Sequence, residues 1–170
     1  MINNLSSIFI KHGIIEEDDK EIYDYGLFVV VFNLLSITSI VLLGMIFKRT
    51  LFTFYFLLFY LPNRMIIGGY HCKTPLSCFL TFTLSYSIIL ILSYIVVSYE
   101  NLYIASVIIY LLLLLLFFKR SKSFIKSLIT IFVVSLLFTC FCDIAKESFV
   151  YATMINFILY FIANHLTHLQ

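Results

Sequence analysis

Between Tyr110 and Phe118 the chain passes through six consecutive leucines, Leu111 to Leu116, with no polar residue to turn toward water. A segment that is apolar all round has to be surrounded by apolar matter, either lipid or the interior of a bundle. It is one of six such runs, at residues 27–47, 50–61, 79–98, 102–118, 124–142 and 148–163. Of 170 residues, 62% are hydrophobic and 12% charged. A water-soluble domain carries charge on about a quarter of its residues, so too little polar surface is left here to coat one. The sequence therefore specifies an integral membrane protein.

Hydrocarbon offers the backbone no hydrogen-bond partners, so the six runs are predicted to be helices. The expected fold is an all-α, polytopic membrane protein forming a single domain over residues 1–170. Residues 27–163 would make the transmembrane bundle, and residues 1–26 an amphipathic interfacial segment. Spans of roughly 20 residues each leave no room for a large domain outside the membrane. The run 50–61 is short for a span and is predicted to stop at Pro62, which suits a re-entrant, tilted or buried segment.

The N-terminal segment combines Leu5, Ile8, Phe9, Ile14 and Ile15 with a cluster of acids from Glu16 to Asp24. It reads as one or two short helices, lying on the membrane surface or docking a partner helix. Its acidity does not match a signal peptide. A net charge of +2 gives no reason to expect nucleic acid, and the cations serve better as topology signals. With six crossings and the N-terminus inside, Lys11, Lys20, Arg64, Lys73, Lys119, Arg120, Lys122 and Lys126 are cytoplasmic, against Lys48, Arg49 and Lys146 outside. With a re-entrant second segment and the N-terminus outside, Lys48 and Arg49 exchange sides with Lys11 and Lys20, and the balance is the same. Both solutions keep residues 68–78 and 119–126 cytoplasmic. The N-terminus is expected inside, since nothing marks the acidic segment for export.

The chemistry of the chain is concentrated in Gly68-Gly69-Tyr70-His71-Cys72-Lys73-Thr74-Pro75-Leu76-Ser77-Cys78. Proline suits the first turn of a helix, and threonine before it is a good N-cap. Cys78 then falls in the first turn or just past it, where the helix macrodipole favours the nucleophilic thiolate. Lys73 acts in the same direction. Gly68 and Gly69 give the loop the freedom to bring His71 back over the helix start. A His71–Cys78 pair can do nucleophilic chemistry: histidine takes the thiol proton and later protonates the leaving amine. Asn63, Ser77 and Asp143 are candidates for a third, orienting group.

Other readings stand beside this one. The loop can be a polar turn whose Cys and His are incidental. His71, Cys72 and Cys78, joined by Cys140 and Cys142, can also be soft metal ligands, although the spacing lacks a Cys-x2-Cys knuckle. The cysteines are otherwise expected to be free thiols. Arg64 either holds a carboxylate or snorkels at the boundary. Lys119, Arg120, Lys122 and Lys126 either anchor the chain to anionic headgroups or bind an acidic peptide segment. Asn33, Asn156 and Asn164 are expected to form interhelical hydrogen bonds. A rival function is a small transporter or channel subunit with a His/Cys gating or metal-binding loop.

Four features carry a family resemblance. They are the acidic segment leading into Tyr25-Gly26-Leu27, Arg64 after a short second run, Gly-Gly-Tyr before His71, and Cys78 seven residues beyond that histidine. Together they resemble the AgrB (accessory gene regulator protein B) family of membrane cysteine endopeptidases of Gram-positive bacteria. The likeness extends over the whole chain in layout, and its specific part is Arg64 to Cys78. By that resemblance His71 is the general base and Cys78 the nucleophile, with no cofactor. Arg64, Gly69, Lys73, Lys119, Arg120 and Lys122 would support or bind substrate. The substrate would be a small AgrD-like precursor peptide with an amphipathic leader and an acidic C-terminal tail. The tail is cut off, the peptide is held as an acyl-enzyme thioester, and an internal Cys or Ser closes a thiolactone or lactone ring. The resemblance further implies a homodimer in the bilayer of the cell membrane, its catalytic loop cytoplasmic, working in quorum-sensing signal production.

Overall fold

The apolar runs satisfy their backbones internally. The computed structural model describes residues 20–67, 74–95, 100–117 and 122–167. Among them are six helices and no strand: α1 Lys20–Ile46, α2 Thr50–Ile67, α3 Pro75–Ile95, α4 Glu100–Leu116, α5 Lys122–Phe141 and α6 Asp143–Thr167. In length and apolar character α1, α2, α3 and the Phe124–Phe141 part of α5 can each cross a membrane, and α4 is a shorter apolar helix. The chain is thus an all-helical, polytopic membrane protein. Residues 20–26 belong to the same helix as the first apolar run, and residues 1–19 lie outside the described part.

Proline does not end the second helix as the sequence suggested: Pro62 lies inside α2, which continues to Ile67. Proline removes one N–H from the ladder, and within a membrane bundle neighbouring side chains can make up the deficit. Asn63, next in the chain, donates from Nδ2 to the Phe59 carbonyl at 2.7 Å. The resulting 18-residue helix is about 27 Å long.

Side-chain contacts fix the helix directions. Arg49, just before α2, pairs with Glu147 near the start of α6, and Ser148 Oγ donates to the Phe52 carbonyl at 3.1 Å, so α2 and α6 run parallel. Tyr103 on the first turn of α4 shares a 2.8 Å hydrogen bond with Thr139 near the end of α5. At the other end Phe117 packs on Phe124 and Tyr160. Each helix therefore runs opposite to the one before it, and α2 traverses the bundle from end to end. The turn at residues 47–49, the end of α3 and the start of α6 share one end; the ends of α2 and α6 and the starts of α3 and α5 share the other.

The core is aromatic. Phe52, Phe56, Phe59, Tyr86, Tyr110 and Phe149 are all essentially inaccessible. The most polar helix, α6, is held in the middle, burying Glu147, Ser148, Thr153 and Asn156 among its apolar residues. By contrast α1 buries only Ser36, Ile40 and Gly44, a stripe at four-residue spacing. Asn33 is exposed, and Asn156 donates to Ala152 of its own helix at 2.9 Å, so neither makes the expected interhelical bond. Asn63 does so instead, accepting from the Tyr110 hydroxyl.

Candidate active site

The helix carrying Cys78 starts as its sequence dictates. Thr74 Oγ1 accepts from the Ser77 N–H at 3.3 Å, and Ser77 Oγ donates to the Thr74 carbonyl at 2.8 Å. Thr74 is the N-cap, Pro75 opens the helix with no N–H to satisfy, and the Cys78 N–H makes the first intrahelical bond, to Thr74 O at 3.1 Å. Cys78 is half-buried and its thiol is free.

What faces Cys78 follows from the meeting of α2 with α3. Arg49 Nη2 donates to Ser93 O at 3.0 Å. Seven residues on, Phe56 packs on Tyr86 with ring centroids 5.1 Å apart. Four further, Tyr60 stacks on Phe82 at 4.8 Å with 18° between the planes. Each step along α2 is matched by an equal step back along α3, as antiparallel neighbours require. Residues four apart share a helix face, so the same register continued past Pro62 brings the Arg64 and Cys78 positions to one level. In keeping with this, the Tyr60 phenol lies within electrostatic range of both the Arg64 guanidinium and the Cys78 thiol.

The register thus puts Cys78 and Arg64 of the sequence-derived set at one level of the bundle, a turn from the stacked pair Tyr60 and Phe82. Lys122 opens α5 at the same end of the bundle, with exposed Lys126 one turn on. His71, Gly69, Lys73, Lys119 and Arg120 lie outside the described residues. Of the candidate orienting groups, Asn63 is engaged by Tyr110 and Phe59, and Ser77 by Thr74. Asp143 is at the opposite end of the bundle, its carboxylate 2.7 Å from Lys146 Nζ. Cys140 and Cys142 are at that far end too, so they share no site with Cys78.

The far end holds an arrangement that the sequence did not announce. Gly44 O accepts from Arg49 N at 2.8 Å and Met45 O from Lys48 N at 3.1 Å, with Lys48 left-handed at φ 54°. This is a Schellman turn in which lysine takes the position glycine usually holds. It delivers Arg49 to buried Glu147 at 3.2 Å, while the guanidinium also lies 4.7 Å from the Tyr94 ring centroid. Tyr94 in turn donates from its hydroxyl to Phe47 O. A cleft of about 430 Å³ opens beside it, lined by Lys48, Arg49, Phe52 and Ile144 among others, a helix length from the thiol.

Compared with known proteins, residues 2–167 match the family model described as Accessory gene regulator B. Neither the curated proteins nor the solved structures contain a match to the chain.

Proposed function

Because this chain belongs to the accessory gene regulator B family, whose members act in quorum-sensing peptide processing, we propose that it is a membrane cysteine endopeptidase and cyclase. Cys78 is the nucleophile and His71 the general base. The thiol proton passes to the imidazole as sulfur attacks the scissile carbonyl of an AgrD-like precursor. The C–N bond breaks, His71 returns the proton to the leaving amine, and the acidic tail departs. The peptide remains as a thioester on Cys78. An internal thiol or hydroxyl then attacks that thioester, Cys78 leaves as thiol, and the ring closes with the acyl activation retained.

The observation that supports this reading is the free thiol of Cys78 at a capped helix start, one turn from the Tyr60–Phe82 stack and, by register, level with Arg64. A guanidinium beside the nucleophile is a suitable holder for a carboxylate of the acidic tail. Among the described residues Lys20, Arg64, Lys122 and Lys126 belong to the end of the bundle bearing Cys78, and Lys48, Arg49 and Lys146 to the other. With the sequence-based balance of eight to three this favours the cytoplasmic side, where the precursor is made. Lys119, Arg120 and Lys122, with Gly69 and Lys73 near the nucleophile in sequence, serve substrate binding. The working form is a homodimer in the membrane of a Gram-positive cell.

The test is co-expression of the full chain with its precursor. Cys78→Ala and His71→Ala should each abolish tail removal with membrane insertion unchanged, while Cys72→Ala should cleave normally. Full cleavage by the Cys78→Ala protein would overturn the proposal.

A further inference from the structure

Attack of a thiol on a carbonyl places negative charge on the carbonyl oxygen, and that charge needs hydrogen-bond donors. Backbone amides at a helix start are the usual supply, yet here they are largely spent. Pro75 has none, the Ser77 N–H is held by Thr74 Oγ1, and the N–H of Cys78 itself is bonded to Thr74 O. Among the described residues of that turn, Leu76 alone keeps an amide that Thr74 does not take. A side chain across the interface can supply a second donor.

Tyr60 is in position to supply it. It stands one rung from the Arg64–Cys78 pair, on the face of α2 that looks toward α3. Its ring is fixed between Phe56, at 5.4 Å and 9° between planes, and Phe82 at 4.8 Å, and the residue is only 4% exposed. The Cys78 thiol lies within electrostatic range of this phenol. A donor of that kind leaves the nucleophile free to attack and meets the oxygen that develops beside it. Stacking on both faces limits the rotation of the ring, so little reorganisation accompanies the reaction. Arg64 stands one turn further along α2.

We propose that Tyr60 is a catalytic residue, its hydroxyl donating a hydrogen bond to the tetrahedral oxyanion formed when Cys78 attacks the scissile carbonyl. The proton stays on Tyr60 throughout; only the hydrogen bond forms and is released as the intermediate collapses. This inference rests on Cys78 being the nucleophile.

Two small reagents test it without the natural substrate. Acylation of Cys78 by 4-nitrophenyl acetate passes through an oxyanion, whereas alkylation by iodoacetamide is a displacement at carbon and forms none. Both rates are measured on the full chain in detergent, as the part lost in Cys78→Ala. Tyr60→Phe keeps the stacked ring and removes only the hydroxyl. We expect its acylation to fall on the order of 10²-fold with alkylation unchanged. Unchanged acylation overturns the inference. An equal fall in both rates also overturns it, since Tyr60 would then act by setting the thiol. If precursor cleavage survives Cys78→Ala, the underlying reading fails, which is distinct from failure at Tyr60.

Discussion

At the scale of single residues, the start of α3 is set by its own local chemistry. Thr74-Pro75 is readable as a helix start because an N-cap hydroxyl and a ring-fixed φ need no distant partner. Replacing Thr74 by Ala should cost about 1 kcal/mol of stability, measurable as a lower thermal midpoint in detergent. Gly44 is a stricter case, since a methyl there would stand 1.9 Å from Thr53 Oγ1. Thr53 cannot easily yield, being bonded both to Arg49 O at 2.9 Å and to the Tyr86 hydroxyl at 2.6 Å. Gly44→Ala should therefore destabilise the protein by about 1–3 kcal/mol, checked by the same melting curve. Arg64 is predicted to act on substrate rather than on the thiol. Arg64→Ala should raise the KM for precursor at least about tenfold while leaving iodoacetamide labelling of Cys78 unchanged. Arg64→Lys should recover part of the loss, because a point charge lacks the bidentate fork.

At the scale of helices, hydropathy marked six runs and the structure has six helices among the described residues, yet the ends moved wherever a tertiary partner intervened. Pro62 reads locally as a terminator; α2 nevertheless carries it inside and runs on to Ile67, with Asn63 beside it held in the core by the Tyr110 hydroxyl. α6 begins at Asp143, ahead of its apolar run, because Arg49 answers the charge of Glu147. No local pattern could have shown that pair, since its members are 98 residues apart and Arg49 reads as a boundary cation. Tyr60 and Phe82 were missed for a different reason. An aromatic stripe at helical spacing usually means packing, and only the rung beside Cys78 separates these two from the rest. The ion pair itself makes a sharp prediction. Glu147→Leu or Arg49→Met alone strands a charge and should cost about 3–5 kcal/mol. The double substitution should melt closer to the parent than either single one, since it leaves no charge unpaired.

For the whole molecule, the alternation of the helices bears on the side of the N-terminus, which charge counting left open. With α2 running from one end to the other, α1 begins and α6 ends at the Cys78 end. The cation excess then predicts a cytoplasmic N-terminus. In intact cells an impermeant thiol reagent should label exposed Cys140 from outside and leave Cys78 untouched until the membrane is made permeable. The reverse pattern would mean an inverted protein. The matched spacing of α2 against α3 has one more consequence. A straight edge clamped at one end fixes every mark along it, and Arg49 is the clamp, about 22 Å from the mark that matters. If α3 crept by one helical turn, Phe82 or Thr74 would come level with Arg64, and the thiol would be displaced by about 5.4 Å. On the proposed mechanism, the alignment of the thiol is therefore gauged at the opposite end of the bundle from the chemistry.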